Sequence, residues 1–168
     1  MRRSIAVLFT LVALQIVGCN TQSPSLTDAD AYFNRGVAKG QKGDHDGAIA
    51  DFTRALELNP HNAVACYNRG VMKDKKGDND GAIADFNRAI ELNPKIAEAY
   101  YNRGVAKKQK GDNDGAIADY NRAIELNPKI AEAYFNRGVA KSEKGDHAGA
   151  RADWRRAKEL DPSLNVPQ

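Results

Sequence analysis

Four asparagines, Asn34, Asn68, Asn102 and Asn136, each follow an aromatic ring, Phe33, Tyr67, Tyr101 and Phe135, and successive copies stand 34 residues apart. An Asn side chain offers one acceptor and two donors, so it can bond both the C=O and the N–H of an extended chain without reading that chain's side chains. A ladder of such groups suits capture of a long unfolded segment. The same side chain on a helix can instead satisfy local backbone or brace a neighbouring helix. Both uses are open at this stage.

Other residues with chemical potential lead elsewhere. Asp-His-Asp-Gly at Asp44 and Asp-Asn-Asp-Gly at Asp78 and Asp112 look like half a calcium loop. The first acidic ligand is replaced by Lys42, Lys76 or Lys110 and the closing Glu by Thr53, Asn87 or Asn121, so turns explain these strings better. His45 and His147 occupy equivalent turns of the first and last units and His61 a third, which gives no metal-ligand spacing. Asp51 and Arg54, with their copies, have i, i+3 helical spacing, the usual bracing arrangement. Asp51, Asp85, Asp119 and Asp153 have alternative partners in Arg35, Arg69, Arg103 and Arg137. No nucleophile–base pair or phosphate loop accompanies them, so the expectation is no enzyme, no metal, no cofactor and no small-molecule substrate.

The elements that position these residues follow from the repeat. Aligned on Gly36, Gly70, Gly104 and Gly138, the units are 29–62, 63–96, 97–130 and 131–164, leaving 165–168 as a tail. Each unit closes at Pro60, Pro94, Pro128 or Pro162. Within a unit, apolar residues at helical spacing run to a Lys-Gly-Asp string, where Gly43, Gly77, Gly111 and Gly145 suit a left-handed C-cap. Asp44, Asp78, Asp112 and Asp146 suit the N-cap of a second helix. The closing Pro suits the first turn of the next helix, so eight helices are expected. The small residues Gly36, Gly70, Gly104 and Gly138 should meet Ala48, Ala82, Ala116 and Ala150, with Phe52, Phe86, Tyr120 and Trp154 filling the space between hairpins. Cys66 replaces the Tyr of the other units and should be a buried free thiol. Where earlier units carry Ile49 and Leu56, the last carries Arg151 and Lys158, which should cap the stack with charge.

A period of this length, with a bulky residue four before the Gly, Ala-aromatic-Ala in the second half and a closing Pro, resembles the tetratricopeptide repeat. The resemblance implies an all-α fold, a right-handed α-solenoid of four helix-turn-helix hairpins, whose first helices line a concave groove. In that groove would lie the aromatic and Asn columns, followed by Val37, Val71, Val105 and Val139. The Asn column is similar to the asparagine ladder in the tetratricopeptide superhelix of the nucleocytoplasmic glycosyltransferase that modifies protein Ser and Thr, with no catalytic domain attached. A cationic clamp on a chaperone's C-terminal carboxylate is not expected, because Phe, Tyr, Val or the acidic Asp30, Glu98 and Glu132 stand where Lys and Arg are needed. Selectivity between partners should reside in Asp30, Val64, Glu98 and Glu132 and in Gly40, Asp74, Lys108 and Ser142. Two columns depart from the family pattern, Arg35 and Lys39 with their copies, which implies looser hairpins.

The N-terminus reads separately. Arg2 and Arg3 precede the apolar run Ile5 to Val17, and Ile16-Val17-Gly18-Cys19 resembles the lipobox cut by the lipoprotein signal peptidase. Residues 1–18 are then a signal peptide, Cys19 the lipidated first residue and 19–28 a tether. Loss of Arg2 and Arg3 takes the formal charge from +3 to +1, which gives nucleic-acid binding no electrostatic support. Asn20 in place of Asp favours the outer membrane, periplasmic side, or the outer face of the plasma membrane in a host with one membrane. The expected function is an envelope adaptor that binds extended segments of other envelope proteins and meets the membrane only through its lipid. The alternative is a module that binds peptidoglycan or other carbohydrate, for which an aromatic and Asn groove is also suited.

Overall fold

The computed structural model describes residues 26–167, which form eight α-helices and no strand. The helices are α1 Leu26–Gln41, α2 His45–Leu58, α3 Ala63–Lys75, α4 Asn79–Leu92, α5 Ala97–Gln109, α6 Asn113–Leu126, α7 Ala131–Glu143 and α8 His147–Leu160. The proposed signal peptide, Cys19 and most of the tether lie outside the described residues. Among the described residues, no helix is long and apolar enough to cross a membrane.

The turn inside each hairpin is built as the sequence implies. Gly43, Gly77, Gly111 and Gly145 have φ of +82°, +80°, +82° and +86°, a left-handed conformation that a Cβ makes costly. Asp44 then accepts from the Gly47 N–H at 2.9 Å, and Asp78, Asp112 and Asp146 do the same one unit on. The turns between hairpins differ from expectation. Pro60 lies in the turn before α3, whose N-cap is Asn62, not in its first turn. Asn62 accepts from the Ala65 N–H at 3.0 Å, whereas Ile96 and Ile130 at the same place supply no side-chain cap.

Helices pack in pairs, α1 with α2 through α7 with α8, and each second helix packs on the next first helix. First helices of successive hairpins also touch one another, while second helices do not. The stack therefore bends with its first helices on the inner side. Inside a hairpin the recurring glycine admits a ring: a Cβ on Gly104 would lie 2.7 Å from Tyr120 Cε1 and 3.3 Å from the Ala116 carbonyl oxygen. Gly36, Gly70 and Gly138 face Phe52, Phe86 and Trp154 as closely. Ala48, Ala82, Ala116 and Ala150 are fully buried beside them. Between hairpins, Phe52 reaches Met72, and Cys66 is a buried free thiol against Ala89 and Ala99.

The two unusual columns tighten the hairpins. Arg35 donates through Nε and Nη2 to the two Asp51 oxygens at 2.7 and 2.6 Å, and Lys39 pairs with the same carboxylate at 2.9 Å. Arg69 and Lys73 hold Asp85, Arg103 and Lys107 hold Asp119, and Arg137 and Lys141 hold Asp153 in the same way. The forked geometry is the strong form of such a pair. The i, i+3 pairing of Asp51 with Arg54 does not form, because Asp51 is buried toward α1; the i, i+3 pairs that do form are Arg88–Glu91, Arg122–Glu125 and Arg156–Glu159. Each guanidinium after the first also reaches back one hairpin: Arg103 and Arg137 donate to Asn87 and Asn121 at 2.7 Å, and Arg69 to Thr53 at 3.1 Å. Ion pairs Lys76–Asp46, Lys110–Asp80 and Lys144–Asp114 tie the turns of neighbouring hairpins. At the far end Arg151 and Lys158 are exposed, and Lys158 donates to the Leu164 carbonyl at 2.7 Å.

Candidate peptide-binding groove

Because the first helices lie side by side, residues at one helical position form a row across the inner face. The row Phe33, Tyr67, Tyr101, Phe135 is half-buried. Phe33, Tyr67 and Tyr101 lean on Phe52, Phe86 and Tyr120, with ring centroids 5.8, 5.9 and 6.0 Å apart. Asn34 is exposed, and Asn68, Asn102 and Asn136 are half-buried. Val37, Val71, Val105 and Val139 are half-buried one turn further along the same helices. The groove rows expected from the sequence are thus adjacent in space. His45, His61 and His147 are not drawn together, and among the described residues no group of three or more His, Cys, Asp or Glu could hold a metal ion.

The Asn row is not uniform. Asn102 Nδ2 donates to the Tyr67 hydroxyl at 3.0 Å, and Asn136 Nδ2 donates to the Tyr101 hydroxyl at 3.0 Å. Each bond crosses from one first helix to the next and spends one of the two amide donors, leaving the carbonyl and the second N–H for a ligand. Asn68 faces Phe33, which has no hydroxyl, and makes no side-chain hydrogen bond among the described residues. Asn34 has no preceding hairpin. Burial pushes the Tyr67 and Tyr101 hydroxyls up, with Glu98 and Glu132 adding to the effect and the Asn donors opposing it. They remain neutral and able to donate onward.

The ends of the rows carry the charge. Asp30, Glu98 and Glu132 are exposed at one end, and between them Val64 is an exposed large apolar side chain at 51%. At the other end Lys108 pairs with Glu143 of the next first helix at 2.9 Å. Desolvation raises the Asp74 carboxyl, which has one buried oxygen without a protein partner. The Tyr-to-Asn ties were missed by sequence reasoning, whose available signal is a Tyr and an Asn one residue more than a repeat apart, Tyr67 with Asn102 and Tyr101 with Asn136, against Phe33 with Asn68. That offset is invisible when residues are compared only at the repeat spacing.

Stacked helical hairpins with their first helices side by side define a helical-repeat protein. The chain belongs to the tetratricopeptide repeat family: sequence profiles described as TPR repeat match residues 75–111 and 106–145, and profiles described as Tetratricopeptide repeat match 29–62 and 131–164. Among solved structures, it is similar to one described as the crystal structure of MamA, at 27% identity and a TM-score of 0.78, with 80% of this chain and 79% of that chain covered. A MamA from Desulfovibrio magneticus RS-1, at 24% identity and a TM-score of 0.75 over 83% and 78% of the two chains, shares the fold. The first TPR of Spaghetti (RPAP3), bound to the HSP90 peptide SRMEEVD, is similar at 26% identity and a TM-score of 0.70 over 72% of this chain and 96% of that one. No curated protein matches the sequence. Proteins of this fold class act as scaffolds for protein–protein interaction, and a related domain holds a peptide.

Proposed function

We propose that this protein is an adaptor of the bacterial cell envelope that holds an extended segment of a partner protein along its inner face. The observation that carries the reading is the continuous strip of rings, amides and valines on four adjacent first helices, half-buried except at Asn34, with amide carbonyls and N–H groups still unspent. Such a strip supplies backbone hydrogen bonds and apolar contact without demanding a particular sequence. The peptide seated on the Spaghetti domain supports a peptide as the ligand. The rings of Phe33, Tyr67 and Tyr101 spend part of their faces on inner rings, which favours peptide over a stacked sugar. In this reading Cys19 carries the lipid that tethers the array to the periplasmic side of the outer membrane.

The test is capture of envelope proteins by the full-length chain beside Asn68→Ala/Asn102→Ala, with the variant shown to melt as the wild type does. A partner captured by the wild type and lost by the variant upholds the groove. Equal capture by both places binding on another face, and co-sedimentation with purified cell-wall sacculi in place of protein capture replaces the reading with the carbohydrate one. Palmitate labelling that survives Cys19→Ser sinks the anchoring.

A further inference from the structure

The three junctions between first helices are not equivalent, and the difference falls at the first. Two polar ties close the third junction, Asn136 to Tyr101 and Lys108 to Glu143. The second is closed by Asn102 to Tyr67, with Asp74 beside it. At the first junction both places are empty of a partner. Phe33 offers Asn68 no hydroxyl, and Gly40 stands where Asp74 and Lys108 stand later, so Lys75 has no counter-ion on α1 and makes no ion pair among the described residues.

A cavity of about 190 Å³ opens at this place. Val37 and the side chain of Phe52 give it an apolar floor, completed by Met72, where α5 and α7 carry the smaller Ala106 and Ala140. Asn68 and Lys75 stand on its rim. Cavities of ~150 Å³ take up a benzene-sized apolar group, so the volume suits one Leu or Met side chain. Asn68 and Lys75 lie seven residues apart on α3, about 10 Å along the axis, which an extended chain spans in about three residues.

Resting on the groove reading, we propose that the junction between α1 and α3 is the anchoring subsite for the partner, and that it takes an extended segment with an apolar side chain closely followed or preceded by an acidic one. The apolar side chain enters the cavity, the Asn68 amide bonds the backbone beside it, and Lys75 pairs with the carboxylate. The junctions further along, already tied, contribute weaker backbone contacts. Charge sets the choice of an acidic partner: among the described residues Lys75 makes no ion pair, and no carboxylate lines the cavity.

The experiment follows the side-chain amide and methyl resonances of isotope-labelled full-length chain in detergent micelles. The probe is the capped peptide acetyl-Gly-Ser-Leu-Ser-Glu-Gly-amide, with versions carrying Gly for Leu or Lys for Glu. The Asn68 amide and Met72 methyl should move first, and each altered peptide should bind about tenfold more weakly or worse. Phe33→Tyr/Gly40→Asp, which copies the residues of the second junction, should lose the Leu-Glu peptide without melting earlier. Lys75→Glu, at an exposed position away from the core, should reverse the preference between the Glu and Lys peptides even if the double variant fails to fold. Peptide shifts spread evenly over Asn68, Asn102 and Asn136, with both variants binding as wild type, overturn this subsite and leave the groove standing. Absence of shifts anywhere along the inner face overturns both.

Discussion

A methyl group added to Gly104 is expected to unfold this protein more readily, and the same addition to Gly40 is not. On Gly104 the new Cβ lies 2.7 and 2.9 Å from two carbons of the Tyr120 ring and 3.3 Å from the Ala116 carbonyl. Carbon pairs are comfortable only near 3.5–4.0 Å, so one side must retreat by roughly 0.8 Å. Tyr120 is fully buried and rests on Tyr101, and the carbonyl belongs to α6 itself. Overpacking of this kind costs about 1–3 kcal/mol, with three simultaneous contacts placing it at the upper end. Removing the glycine from a helix returns about 1 kcal/mol, and the net loss is about 2 kcal/mol. At Gly40 the nearest atom is the Met72 sulfur at 3.0 Å, the end of a flexible chain; its small rearrangement offsets the same propensity gain, and the net change is within about 0.5 kcal/mol. Urea unfolding of wild type, Gly104→Ala and Gly40→Ala, followed by circular dichroism under one set of conditions, reads both. For a chain of this size the first variant should also melt about 4–8 °C lower. A Gly104→Ala protein as stable as wild type, or a Gly40→Ala protein weakened as much, refutes the packing argument.

Asp119→Asn should cost about 2–3 kcal/mol, because Arg103 and Lys107 lose the one carboxylate with which both pair while remaining half-buried; a neutral result in the same urea assay would mean the triad is bystander chemistry. The Arg35 hydrogen bond, opposed by burial and helped by Lys39, holds the Asp51 carboxyl down at about 2. Its folded-state value is below the unfolded one, so its contribution to stability is complete above about pH 4 and disappears as pH falls through about 2; a carboxyl carbon resonance titrating near 4 would show that the pair does not persist. Tyr120→Phe should stabilise by about 1 kcal/mol, since the hydroxyl is buried without a protein partner and Phe52 and Phe86 occupy the same place in the first two hairpins; a lower melting temperature would reveal a hidden role for that oxygen.

Sequence alone was sufficient for the hairpins, because their signals are local. A Gly-Asp pair at each turn states both the left-handed residue and the N-cap of the next helix, and a recurring Gly opposite a recurring ring states a close crossing. The thiol of Cys66 was legible as buried from its place in the repeat, although Tyr32, Tyr100 and Tyr134 at that place are only half-buried. The Asp51 column was legible only as a choice. Its spacing to Arg54 satisfied the helical rule, and only the crossing of α1 over α2 decided that the carboxylate points inward to Arg35 and Lys39. Pro60 misled in a smaller way: it lies in the turn two residues before the N-cap of α3, and Pro94 and Pro128 lie likewise before α5 and α7, with or without a capping side chain.

What the tertiary structure decided lies between units. Repeats place identical letters at identical positions, but contacts between neighbouring first helices join each residue to one a little further on than its own copy. Whether Asn102 is free or bonded therefore depends on Tyr67, not on Tyr101, and the same Asn letter at 68 has a different fate because Phe33 lacks an oxygen. A periodic sequence determines the unit and its stacking through local propensity and burial; which of four equivalent amides spends a donor on its neighbour is a property of side-chain contact across the stack.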